Sequence, residues 1–174
     1  MGYVTDAVRA QLHRRTPRQT SAEAIGADSL RRFVQATMEP NPIHWDEQAA
    51  AASRYGHVVA PPLYPVHAFR RPAGTPDPLD RAFTDPEWDG SGNRDDTGLP
   101  PLPLGLDRHL NGGSEVEFYA LAAVGDTVSV THEYVDAVDK VGKSGEFVLV
   151  KREAVYTNQD GQVLLTVRRT GIHR

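Results

Sequence analysis

The chain has 174 residues, no cysteine, 39% hydrophobic residues and a formal net charge of −4. That length and apolar content suit one globular domain with its own core. The missing thiols exclude disulfides, thiolate nucleophiles and sulfur-ligated zinc, and the acidic balance argues against nucleic acid as a partner. No apolar run approaches the roughly 20 residues that span a bilayer. The opening MGYVTDAVRAQLHRR lacks the apolar stretch of a secretory signal, so a cytoplasmic protein with no membrane partner is expected.

In chain order, Val4, Val8 and Leu12 recur at helical spacing and predict a short helix that Pro17 stops. Residues 18–24 alternate weakly, as a strand would. Asp28 is expected to cap the helix SLRRFVQAT, with Leu30, Phe33 and Val34 on one face and Pro40 and Pro42 ending it. NPIHWD, residues 41–46, is then a tight loop. Asp46 is expected to cap EQAAAASRY and Gly56 to end it. HVVA, 57–60, reads as a short extended piece, and Pro61-Pro62 as the first turn of a third helix, LYPVHAFRR.

Residues 72–108 are rich in proline, glycine and aspartate. So long a stretch without regular structure is unusual in a compact domain, and predicts a lid, an ordered covering loop or a partner contact. His109, Asn111, Gly112 and Gly113 are expected in the turn where it rejoins the sheet. SEVEFYA, DTVSVTHEYVDAV, GEFVLVKREAVYTN and QVLLTVRRTGIH alternate apolar and polar residues, as long antiparallel strands do. The turn Gln159-Asp160-Gly161 joins the last two as a hairpin.

Three stretches carry a family resemblance: NPIHWDEQAAAASRYGHVVAPPLYP, LNGGSEVEFYALAAVGDTVSV and TVRRTGIHR. In this order, over about residues 18–174, they resemble the MaoC-like hydratase/dehydratase family, and within it the branch of FAS1-like dehydratase or N-terminal MaoC domains. The resemblance implies an α+β hot-dog fold: a curved antiparallel sheet wrapped around a central helix, here opening at Ala60-Pro61-Pro62-Leu63. It implies one such domain over residues 1–174, with the 72–108 stretch as an insertion. The activity it implies is reversible addition of water to a 2-enoyl thioester, giving an (R)-3-hydroxyacyl thioester. Coenzyme A or an acyl carrier protein would be the carrier, and no resident cofactor is expected.

That reaction needs a base for water near C3, a proton at C2, a donor for the thioester oxygen and a slot for the acyl chain. The family motif Asp-x-Asn-Pro-x-His is matched by Asn41, Pro42 and His44, with Glu39 in the aspartate position. Glutamate keeps the charge but carries its carboxylate one methylene further out. Alone, His44 reads as a structural histidine; within the motif it is the acid–base residue, with Glu39 as its carboxylate partner. Asn41 shapes the turn and is a candidate substrate contact.

Active relatives often have Ala-His-Gly-Met where this chain has Ala60-Pro61-Pro62-Leu63, and Pro62 has no N–H to give. The amides of Leu63 and Tyr64 remain as donors, helped by a helix N-terminus. Tyr64 and His67, three apart, share a helix face; they fit core packing as well as a substrate wall. Arg70-Arg71 and Arg168-Arg169 are candidate contacts for coenzyme A phosphates. No metal-ligand spacing is present, and residues 61–71 contain no Asp, Glu, Ser or Thr for thioester hydrolysis.

The resemblance implies pairing, as a homodimer or as a heterodimer with a second MaoC-like chain. Glu39 and Pro62 keep a second reading open, a non-catalytic or half-catalytic subunit of a heteromeric dehydratase. An acyl-thioester-binding module without chemistry is the third.

Overall fold

The computed structural model describes residues 2–69, 74–76, 80–87, 97–143 and 145–174. Among these, strands β1 (Gln19–Thr20), β2 (His109–Phe118), β3 (Ser129–Gly142), β4 (Gly145–Thr157) and β5 (Val163–His173) form one antiparallel sheet in the order β1-β3-β4-β5-β2. The helices are α1 (Asp6–Arg9), α2 (Ala27–Thr37), α3 (Glu47–Ala52) and α4 (Arg81–Thr84).

Strand alternation decides which side chains share a face. The register stacks Val130, Tyr156, Leu165 and Phe118 across four strands, and the next row on that face is His132, Ala154, Val167 and Val116. Helix α2 is seated on this end of the sheet: its Leu30 and Val34 join Val128, Val130, Tyr156, Leu164 and Leu165 in one buried cluster. A second cluster lies further along the same strands. There Val4 and Val8 from the N-terminal segment and Leu104 pack on Tyr134, Ala137, Val148 and Val150, with Leu99, Leu102 and Leu106 around them. The described end of the proline-rich stretch is thus an ordered cover on the sheet, one of the three alternatives left open for it; residues 72–73, 77–79 and 88–96 lie outside the described residues.

Four local expectations need correction. The segment expected to open a central helix at Pro61 makes only a 3-10 turn, Tyr64–His67, within the described residues. Pro61, Pro62 and Pro65 remove three N–H donors in five positions, so an i→i−4 ladder cannot propagate, and Pro65 is itself fully buried. The helix that the sheet packs around is therefore α2. That helix begins one residue before Asp28, with Gly26 in the capping position. Asp28 lies in the first turn and binds Arg31 and Arg32 at 3.1 and 2.8 Å. Helix α3 is capped by Asp46, whose Oδ1 accepts from Ala49 N at 2.9 Å, as expected, but it ends at Ser53 rather than Gly56. Finally, His109, Asn111, Gly112 and Gly113 belong to β2 and not to a turn. The glycines sit at a bulge, where Gly113 takes φ +115, a conformation that side chains rarely allow, and the strand runs on.

On the outer face Arg168 bridges Glu117 and Glu153, at 2.7 Å each, and the Tyr119 hydroxyl donates to Glu117 at 2.5 Å. The Tyr119 hydrogen bond first, and the Arg168 guanidinium second, hold the Glu117 carboxyl below its usual range. A carboxyl depressed on folding stabilises the fold above its unfolded pKa, and that contribution is lost as pH falls through the folded value. Tyr119→Phe is expected to raise the Glu117 midpoint toward the ordinary carboxylate range in an NMR titration. An unmoved midpoint would show that Arg168 alone sets it.

Candidate functional site

The NPIHWD loop is built by local hydrogen bonds. Helix α2 ends at Met38, which takes a left-handed conformation with φ +53 and turns the chain out of the helix. Glu39 N donates to Val34 O at 3.0 Å, closing the helix end. The Asn41 side chain caps a 3-10 turn, Pro42–His44, by accepting from Ile43 N at 3.3 Å. Proline at its first position supplies the required φ without wasting a donor.

This turn points His44 inward, where it is only 4% exposed. Its Nδ1 lies 2.7 Å from the carbonyl oxygen of Val59. A carbonyl can only accept, so Nδ1 carries the proton and the neutral ring keeps its lone pair on Nε2. Among the described residues Nε2 has no hydrogen-bond partner. The structure therefore presents a buried imidazole of fixed tautomer whose basic nitrogen no described residue occupies. The Val59 carbonyl was not legible as a site residue, because a backbone acceptor leaves no mark on residue type.

The same carbonyl joins the loop to the segment carrying the other candidates. Val59 N donates to Ile43 O at 3.4 Å and Ala60 N to Ala122 O at 2.7 Å, so residues 57–60 bridge the loop and the sheet. Pro61 is buried, Pro62 is exposed and Leu63 is 46% exposed. The Tyr64 amide is already committed, donating to Pro61 O at 2.9 Å. Of the two amides expected to serve a thioester oxygen, only that of Leu63 is without a hydrogen-bond partner among the described residues. The expected assistance from a helix N-terminus fails, since one 3-10 turn sums too few peptide dipoles.

Tyr64 is buried in the α2 cluster. Its hydroxyl lies 2.9 Å from Ser29 Oγ and its ring meets Phe33 edge-on at 5.1 Å. His67 also packs on Phe33, its ring 5.1 Å away, and is exposed. Tyr64 and His67 do share one side of their turn, and both are placed as packing partners of α2. Glu39 is half-buried, and its carboxylate accepts from Asn41 N at 3.0 Å, folded back on its own loop. Arg168 is held by two carboxylates on the outer face, Arg169 lines a cavity further along the sheet, and Arg70-Arg71 lie outside the described residues. Among the described residues no cluster of His, Asp or Glu is placed to hold a metal, and no helix is long and apolar enough to cross a membrane.

Comparison with known proteins agrees with this architecture. The family model described as FAS1-like, dehydratase domain region matches residues 15–167. A UPF0336 protein of Saccharopolyspora erythraea is 27% identical over 157 residues, 89% of this chain and 84% of that protein. A UPF0336 protein of Streptomyces avermitilis is 38% identical over 45 residues, 26% of this chain and only 30% of the relative's own length. Among solved structures, the ChsH1-ChsH2 complex of Mycobacterium tuberculosis contains a chain with TM-score 0.71 at 19% identity, covering 96% of this chain and 88% of that one. The (R)-hydratase of A. caviae involved in PHA biosynthesis gives TM-score 0.57 at 14% identity, covering 92% and 94%. The chain has their hot-dog fold.

Proposed function

The chain belongs to the FAS1-like dehydratase family, and from that premise we propose that it is an (R)-specific hydro-lyase of acyl thioesters. It would interconvert a 2-enoyl thioester and water with a 3-hydroxyacyl thioester carried by coenzyme A or an acyl carrier protein. The observation that carries this reading is His44: buried, pinned through Nδ1 to Val59 O, with no partner on Nε2 among the described residues. In the hydration direction Nε2 takes a proton from water as the hydroxyl bonds to C3, the thioester oxygen gains charge, and the imidazolium returns that proton to C2. Atoms balance as one added water. The Leu63 N–H is the donor offered to the thioester oxygen. Glu39 is the second acceptor for the water, once its carboxylate leaves Asn41 N.

Pro61, Pro62 and the position of Glu39 favour a second reading. Two prolines remove amides where a thioester oxygen needs donors, and the glutamate is turned onto its own backbone. The likeness to a chain of a two-component complex supports a partner subunit that shares an acyl cleft with a second MaoC-like chain. The purified protein would be mixed with crotonyl-CoA and longer enoyl-CoAs and the enoyl thioester absorbance followed, with size-exclusion runs alone and beside such a chain. Turnover by the chain alone supports the hydro-lyase. Turnover only in the mixture, insensitive to His44, replaces it with the partner subunit.

A further inference from the structure

We infer that Asp126 is a positioning residue for the His44 imidazole. Among the described residues it makes no hydrogen bond to His44 or Glu39, and it acts through three successive hydrogen bonds that end on the imidazole. The consequence for catalysis rests on the acid–base role proposed for His44.

The first link is a closed turn. Asp126 N donates to Ala123 O at 3.1 Å, and Ala123 N donates back to Asp126 Oδ2 at 2.8 Å. Between them Gly125 takes φ +96, which favours glycine. The other carboxylate oxygen, Oδ1, accepts from Gln159 Nε2 at 3.0 Å, while Gln159 Oε1 accepts from Thr127 N at 2.9 Å. The turn is thereby tied to the connection between β4 and β5. A carboxylate accepts on both oxygens and so serves both N–H donors at once.

The next two links carry this order to the site. Ala122 O accepts from Ala60 N at 2.7 Å, and Val59 stands opposite Ala123 as an antiparallel bridge. Val59 O then accepts from His44 Nδ1 at 2.7 Å. Val59, Ala60 and Ala122 are each at most 1% exposed, so their backbone groups have no water to turn to if this pairing slips. The same turn also grips the start of α2. Gly125 N donates to Ile25 O at 2.9 Å and Ile25 N to Asp126 O at 2.8 Å, directly before the capping Gly26. One turn therefore holds both the carbonyl that orients His44 and the helix whose end leads into Glu39.

Truncating Asp126 leaves Ala123 N without its acceptor and opens the turn. Ala122 O, Ala60 and Val59 O then shift together. An imidazole released from that carbonyl exchanges its proton between the two ring nitrogens, and Nε2 is no longer always the basic one.

The full chain, isotopically labelled at histidine nitrogen, would be read by NMR at the His44 ring, assigned by its loss in His44→Gln. The parent is expected to show one tautomer, protonated at Nδ1, and Asp126→Ala a mixture of both. With a 2-enoyl-CoA, kcat should fall by about tenfold or more in Asp126→Ala while KM stays within about twofold, the pattern of a misplaced reacting group. Asp126→Asn, which still offers Ala123 N an acceptor, should restore the parent tautomer and most of the rate. An unmoved His44 ring in folded Asp126→Ala, or a mixed ring with undiminished kcat, overturns the proposal. A mixed ring in the variant of a parent that shows no turnover upholds the positioning and removes the hydro-lyase reading instead, so the two failures separate. Should Asp126→Ala fail to fold, Gly125→Val, which strains the same turn and leaves Asp126 in place, carries the same outcomes.

Discussion

His44→Ala is expected to slow hydration of a 2-enoyl-CoA by about 10²–10⁴-fold, the usual contribution of a positioned general acid–base group. The argument is geometric. Nδ1 is spent on Val59 O, so Nε2 is the nitrogen that meets water, and alanine leaves no base in its place. Alanine also orphans the buried Val59 carbonyl as an acceptor of this bond, which costs on the order of 1–3 kcal/mol. The rate loss must therefore be read on folded protein. His44→Gln serves as the comparison, since an amide can still donate to Val59 but is not a base at neutral pH. Both variants should be equally inactive while the glutamine chain melts closer to the parent. Glu39→Asp, which restores the family's aspartate, should raise the rate, because misplacement on the order of 1 Å costs up to about 10²-fold. Equal turnover by parent and His44→Ala, seen only beside a second MaoC-like chain, would remove the imidazole from the chemistry and leave the partner-subunit reading in possession.

How much of this was legible in the residues follows from the range of the forces involved. The long strands were readable because alternation is a local signal, repeated through Val128, Val130, Val148 and Val150, all buried. The cap at Asp46 and the break at Pro40-Pro42 were readable for the same reason: both act within three or four residues. The third helix was misread because proline fits a first helical turn, while three of them in five positions do not fit a continuing one. The glycine pair at 112–113 reads equally as turn or bulge, and only pairing with β5 decides which. The tautomer of His44 depends on a carbonyl fifteen residues away, and the hold of Asp126 on that carbonyl depends on Ala60 meeting Ala122. No local pattern encodes either. The motif thus named the residue, and the fold decided which of its ring nitrogens faces the Val59 carbonyl.

Leu30→Ala is expected to destabilise the chain by about 2–5 kcal/mol, the range for truncating a fully buried leucine, and to lower Tm by roughly 5–15 °C for a chain of this size. Leu30 is 1% exposed and sits between α2 and the sheet, in one cluster with Val128, Leu164 and Leu165. Leu165 is paired on both sides, with Tyr156 and with Phe118, and cannot close over a void. Helix α2, by contrast, makes no hydrogen bonds to the sheet among the described residues, so it is the element that shifts. Its last turn carries Glu39 through the bond to Val34 O, and its first turn carries Ser29 against the Tyr64 hydroxyl. The cavity should therefore be felt at the site, with activity falling by more than the unfolded fraction explains at temperatures well below Tm. Arg32→Ala, on the exposed side of the same helix and bound to Asp28, is the control and should leave Tm within about a degree or two, as exposed ion pairs contribute little. If Leu30→Ala melts like Arg32→Ala, α2 is not the helix that the sheet is built around.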